Sequence, residues 1–290
     1  MIEVAINHFE GIFDCIQHEC QCPGVPSSSL NLYFVRHDSD GVSNWNGLIG
    51  LILGYITQYC FSAEKRAGLS EYERNQNYQK AKQLFRDDPK TGQPGEILIY
   101  LFIEAIMKAP QVLKKMPLTT NPKEERKGSD GMHLRMTDEG IVEIIFAESK
   151  VYGSFKAALD KAFESMSGFY TSPTKALERS YFTKGFTEIS PELQELVVSF
   201  VDGKNLEKSR EVYACLIGFD WAEYNCLTDE RRAAFVKEFK IRYGTWAKDT
   251  MLGHLTDHVA NFPHKHLKLE FFFVPFSNVA DFRNQFLNAL

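Results

Sequence analysis

Gly128-Ser-Asp-Gly-Met-His-Leu-Arg-Met-Thr-Asp-Glu-Gly-Ile-Val-Glu-Ile-Ile-Phe-Ala-Glu-Ser-Lys150 holds two strand-like runs joined by a short polar turn. Met132–Met136 is strand-like, and the run from Ile141 is almost wholly apolar until it ends in two opposite charges. Thr137-Asp-Glu-Gly140 is a tight turn between them. Strand side chains alternate faces, so Glu148 and Lys150 point the same way. If Thr137 faces Gly140, Asp130 falls opposite Ala147, and a one-residue bulge would be needed to bring it level with Glu148. The hairpin thus gathers two carboxylates and one ammonium at one end of a sheet. Paired acids bind a divalent metal through oxygen. A lysine beside them can orient or deprotonate a water, or stabilise charge on a phosphate.

The flanking segments suit a hairpin built into a mixed sheet. Upstream, Gln93-Pro-Gly-Glu-Ile-Leu-Ile-Tyr-Leu-Phe-Ile-Glu104 reads as a helix over 94–108, with Pro94 and Gly95 at its start and Glu96 in its first turn. Downstream, Gly153-Ser154 supplies a break and a cap. Phe155, Ala158, Leu159, Ala162, Phe163 and Met166 then follow helical spacing, with Gly168 expected to end the helix. A strand followed by such a helix needs a parallel neighbour, for which Arg210–Phe219 is the candidate. Further strands are expected at Leu30–Val35 and Leu267–Val274, the latter stopped by Pro275. Helices are expected near 44–61, 70–86, 190–201, 228–243, 245–261 and 278–289. This alternation predicts an α/β fold, a mixed β-sheet with helices on both faces.

Composition narrows the function classes. The 290 residues are 44% hydrophobic and 24% charged, ordinary for a globular chain with a sizeable core. The net charge of −5 argues against a stand-alone nucleic-acid binder, which usually carries a basic field. One local exception is the segment Lys108–Lys127, where Lys108, Lys114, Lys115, Lys123, Arg126 and Lys127 face only Glu124 and Glu125. It reads either as a cationic approach for a phosphodiester or as a solvated loop. No signal peptide is visible, and Gly47–Phe61 is too short and glycine-rich to span a bilayer. Six cysteines without a secretory signal predict reduced thiols and a cytoplasmic protein. Cys15, His18, Cys20 and Cys22 are possible zinc ligands, but they lack the long spacer of a structural zinc site. His254, His258, His264 and His266 read as surface histidines, and Ser172-Pro-Thr-Lys175 has no companion motif. No phosphate-binding loop or dinucleotide fingerprint occurs, so neither ATP hydrolysis nor dinucleotide binding is expected.

Asp130, Glu148 and Lys150 resemble the signature of the PD-(D/E)xK nuclease superfamily, with Ser129 where that pattern usually has proline. The resemblance implies a restriction-endonuclease-like core, with Asp130 and Glu148 as metal ligands and Lys150 as the catalytic lysine. It also gives Glu96 the place of the glutamate on the preceding helix, a ligand through water or at a second metal. The cofactor implied is Mg²⁺, with Mn²⁺ able to substitute, and the substrate is DNA. The whole-chain layout is similar to the HamA family, nuclease subunits of bacterial Hachiman anti-phage defence, on Gly95-Glu96, Gly128-Ser-Asp130, Ala147-Glu-Ser-Lys150 and Leu269–Pro275. That similarity implies a superfamily-2 helicase partner, HamB, and no membrane. The expected organisation is a single α/β domain over 1–290. It comprises a mainly helical portion at 1–90, the nuclease core at 94–168 and a C-terminal α/β extension at 169–290. The alternative is a regulatory or scaffolding subunit that keeps the fold and cleaves nothing; the intact Asp130, Glu148 and Lys150 argue against it.

Overall fold

The computed structural model describes residues 6–17, 29–38, 42–113, 129–171, 191–201, 206–226, 232–264 and 267–290. Its strands are β1 (Phe13–Gln17), β2 (Ser29–Val35), β3 (Gly131–Met136), β4 (Val142–Tyr152), β5 (Ser209–Asp220) and β6 (Lys268–Phe276). They form one six-stranded sheet in the order β1-β2-β6-β5-β4-β3. The four central strands run parallel, and β1 and β3 are antiparallel to β2 and β4. The sheet therefore draws strands from the first ninety residues, from the hairpin region and from the last third of the chain.

The principal helices are α1 (Trp45–Cys60), α2 (Glu71–Gln83), α3 (Gln93–Ile106), α4 (Phe155–Thr171), α5 (Pro191–Val201), α6 (Arg232–Trp246), α7 (Leu252–Asn261) and α8 (Val279–Ala289). A π turn, Ala247–Met251, joins α6 to α7. Residues of α4, α6 and α7 share one apolar core with Ile144, Phe146, Tyr213, Cys215, Phe271 and Phe273. On the opposite face, α1, α3 and α8 share a second core with Ile145, Ala147, Ala214, Leu216 and Phe272. Alternate residues of β4, β5 and β6 thus serve the two cores in turn, and these strands read as continuous apolar runs for that reason. The expected α/β architecture, a mixed sheet with helices on both faces, is borne out. No described helix is long and apolar enough to cross a membrane.

Local signals placed most elements. Ser70 caps α2 in a reciprocal capping box with Glu73, and Pro94 lies in the first turn of α3. Phe155, Ala158, Leu159, Ala162, Phe163 and Met166 are all buried, as their spacing requires. Three expectations need correction. Gly168 does not end α4, which continues to Thr171 because Phe169 still packs into the core. Pro275 does not end β6, which continues to Phe276. Phe276 O accepts from Trp221 N, so the polar groups of Phe276 face β5 and those of Pro275 face the other way. Pairing of β2 with β6 ends at Phe273, so the missing N–H of proline falls on an open side. The third correction is β1, which was not foreseen: Cys15, considered as a zinc ligand, lies within this edge strand. His18, Cys20, Cys22 and His266 lie outside the described residues, as do most of the basic segment and Ser172–Lys175.

One buried charge fastens four strands. Glu143 of β4 is fully buried and makes ion pairs with Arg135 of β3, Arg210 of β5 and Lys268 of β6. The Arg210 Nε and Lys268 Nζ contacts are 2.7 and 3.1 Å. Arg135 also donates to Met107 O at 2.8 Å, which ties the end of α3 to the hairpin. Burial alone would raise the Glu143 carboxyl; the bond and charge of Arg135, then Lys268 and Arg210, outweigh it and hold the carboxyl below the usual range. Removing a buried charge from such a set leaves its partners uncompensated, so Glu143→Ala should cost about 3–5 kcal/mol. Because the folded carboxyl is depressed, its contribution is complete above the unfolded value of about 4.3 and fades as pH falls through the lower folded value. Chemical denaturation of wild type and variant at pH 7 and at pH 3 checks both points: the gap should be wide at pH 7 and smaller at pH 3.

Candidate functional site

The site is built at the open end of the β3–β4 hairpin. Gly131 pairs with Ala147 and Met136 with Val142, so the next position places Asp130 level with Glu148 without any bulge in the ladder. The extra residue lies in the turn. Thr137 N donates to Ile141 O at 2.9 Å, Gly140 N donates to Thr137 O at 2.9 Å, and Gly140 adopts φ +75°. This is a three-residue loop ending in a left-handed glycine. The pairing of Thr137 with Gly140 expected from the sequence is therefore one residue short.

β4 runs past the first residue of β3, so the backbone beyond Ala147 loses its partner strand. Asp130 replaces it. Its N–H donates to Ala147 O at 2.7 Å, and its Oδ2 accepts from Ser149 N at 2.6 Å and from Ser149 Oγ at 2.8 Å. One aspartate thus closes the ladder and fixes its own carboxylate beside Glu148. On the same face of β4 as Ser149 lies the start of α3. A Cβ on Gly95 would stand 2.9 Å from Ser149 Oγ and 3.0 Å from Val151 Cγ2, so only glycine lets the helix approach this closely. Glu96 follows in that turn. It is half-buried, and its Oε2 accepts from the Tyr59 hydroxyl at 3.4 Å.

Glu148 points to the other face, under α4. It is buried, with only 4% of its surface exposed. Lys150 Nζ is in direct contact with its Oε1 as an ion pair, the Tyr213 hydroxyl donates to its Oε2 at 3.4 Å, and Ser165 of α4 adds a hydrogen bond. Burial first, and the Asp130 charge second, push the Glu148 carboxyl above the ordinary carboxylate range; Lys150 and Ser165 oppose them. For Lys150, burial alone would lower the ammonium. The Glu148 and Asp130 carboxylates outweigh it and hold Lys150 above the usual lysine range. Burial and Glu148 likewise raise the Tyr213 phenol.

The sequence-predicted residues therefore meet unevenly. Asp130, Glu148 and Lys150 act on one another electrostatically, and Lys150 touches Glu148. Glu96 belongs to a helix turn packed on Ser149, with Tyr59 on its carboxylate. Among the described residues, no group of three or more His, Cys, Asp or Glu is gathered to hold a metal. A metal at this site would take two protein carboxylates, and the chemistry of the pair fits one. Both are hard oxygen donors, and the repulsion that raises Glu148 is what a divalent cation relieves. Sequence reading missed Tyr213, Ser165 and the clamp by Ser149. Tyr213 is the one with an available signal, a polar-tipped residue inside an apolar strand, but its place beside Glu148 depends on the register of β5. His258, read as a surface residue, bonds Asp160 Oδ1 at 2.7 Å on α4, away from this cluster.

The HamA family model matches residues 10–290 of the chain. No curated protein matches it.

The Ser149 clamp yields a stability test. Ser149→Ala removes the 2.8 Å bond to the Asp130 carboxylate and keeps the backbone bond. A hydrogen bond to a charged group contributes about 1.5–3 kcal/mol, so the variant should lose stability of that order and melt at a lower temperature. A thermal melt matching wild type would show that Asp130 is held by the backbone alone.

Proposed function

The chain belongs to the HamA family, that of the Hachiman anti-phage defence system, and on that premise we propose that it is the metal-dependent DNA nuclease of the system. The reading is carried by one observation: Asp130 and Glu148 come level at the end of the hairpin, with Lys150 in contact with Glu148. Asp130 and Glu148 would hold Mg²⁺, or Mn²⁺ in its place, and Glu96 could contribute through a water or at a second ion. When bound, the ion supplies Lewis-acid neutralisation of charge on the scissile phosphate.

The protein's own groups do the rest. Ser149 fixes Asp130, and Tyr213 and Ser165 orient Glu148, so both acids are held before substrate arrives. Lys150, fully protonated at neutral pH, is suited to orient the attacking water and to donate to the phosphate oxygen as negative charge develops. The acidic net charge supports dependence on a partner that delivers DNA. The partner proposed is a HamB-like superfamily-2 helicase, with the complex working in the cytoplasm.

The test is plasmid degradation by the purified chain, with and without the helicase, in Mg²⁺ or in EDTA. Cleavage should need both Mg²⁺ and the partner. Asp130→Ala, Glu148→Ala and Lys150→Ala should each lower the rate by at least about a hundredfold while keeping a cooperative melt. Full cleavage by Lys150→Ala would remove its catalytic role. Lost cleavage with a collapsed melt would make the pair structural and favour the non-catalytic subunit.

A further inference from the structure

The donors around Glu148 leave little room for an incoming ion. Its Oε1 is held by Lys150, its Oε2 faces Tyr213, and Ser165 bonds the same carboxylate. Asp130 Oδ2 is engaged twice by Ser149. A buried carboxylate needs a counter-charge, and Lys150 supplies it from two residues away on the same strand. A divalent cation at Glu148 needs the same oxygen lone pairs. An ammonium and a divalent ion cannot both sit against Oε1, because like charges in a poorly solvated site repel strongly.

We propose that Lys150 is a tethered counter-ion that a divalent cation must displace from Glu148 before the site can act. The idea rests on the metal-dependent reading above and specifies how that site is kept closed. Formal charge supports it. Within the trio itself, two carboxylates against one ammonium leave one negative charge. Adding a divalent ion while Lys150 stays nearby leaves one positive charge, which matches the single negative charge of a phosphodiester. The exchange therefore opens the acids to the ion and frees the lysine for the substrate in one step. The side chain suits this role. An ammonium is a point charge on a flexible stem, whereas an arginine fork would bind the carboxylate through two bonds and leave less readily. Lys150 also has a way out. Its side chain is 20% exposed, and Tyr152, two residues on along the same face, is open to solvent.

Two measurements on the full chain test this. In calorimetric titration with Mn²⁺ at several pH values, Lys150→Met should bind the ion about tenfold more tightly than wild type at the alkaline end, where Glu148 stays ionised without its counter-ion; tenfold is the low end of what one neighbouring charge does to a carboxylate equilibrium. Lys150→Arg should bind more weakly than Lys150→Met, and Asp130→Asn should lose binding. Separately, amine labelling of the wild-type protein read by mass spectrometry should find Lys150 protected without metal and more reactive once Mn²⁺ is added. Equal or weaker Mn²⁺ affinity in Lys150→Met at the alkaline end overturns the proposal, as does Lys150 labelling unchanged by Mn²⁺. The labelling arm decides if Lys150→Met fails to fold. Wild type that binds no Mn²⁺ overturns the metal-dependent function as well, a result distinct from an unchanged variant affinity.

Discussion

A carboxylate drawn into the interior of a sheet has to find a cation, and β4 carries two such carboxylates. Glu143 and Glu148 are an odd number of residues apart, so they emerge on opposite faces. Glu143 is surrounded by three cations from three other strands and is held ionised. Among the described residues, Glu148 pairs with Lys150 of its own strand and has the Asp130 carboxylate next to it. The same requirement thus gives two outcomes. One end of β4 is a saturated charge network that fixes strand order. At the other end burial and the Asp130 charge raise the Glu148 carboxyl, a perturbation of the kind that clusters at functional sites.

What could be read from the sequence was what depends on neighbours in the chain. The hairpin, the shared direction of Glu148 and Lys150, and the buried stripe of α4 follow from short-range periodicity. The match of the HamA family to residues 10–290 agrees with the whole-chain similarity first drawn from the hairpin, Gly95-Glu96 and the Leu269–Pro275 strand. The register was misread by one residue because a left-handed Gly140 can end either a two-residue or a three-residue loop, and composition does not distinguish them. Tyr213 and Ser165 could not be assigned, since each reaches Glu148 only after β5 and α4 have settled on β4. β1 escaped notice because Phe13-Asp-Cys-Ile-Gln17 lacks a clean alternation; as an edge strand it needs only one partner.

Asp130 illustrates how structural and chemical roles coincide. It terminates the β3–β4 ladder, and it is also the residue whose charge raises Glu148. The close approach of α3 at Gly95 extends the arrangement, because Ser149 is held between that helix and Asp130. A shift of α3 would thus be felt at the carboxylates through a single hydroxyl. Arg283 of α8 adds a second external tie, donating to Val151 O at 2.6 Å, one residue beyond Lys150.

The strand order also has a consequence for synthesis. Of the described strands, β6 is the last to be made, yet it lies between β2 and β5. In the finished sheet β6 alone joins β1–β2 to β5–β4–β3, so before it emerges from the ribosome those two groups of strands have no strand to link them. The nascent protein cannot assemble the sheet progressively from one side; closure waits for a single insertion that joins both groups and covers Glu143 with Lys268. A chain interrupted upstream of Lys268 would carry the hairpin and its three charged residues without the strand that supports them. An incomplete copy would therefore lack the scaffold that holds Asp130, Glu148 and Lys150 together.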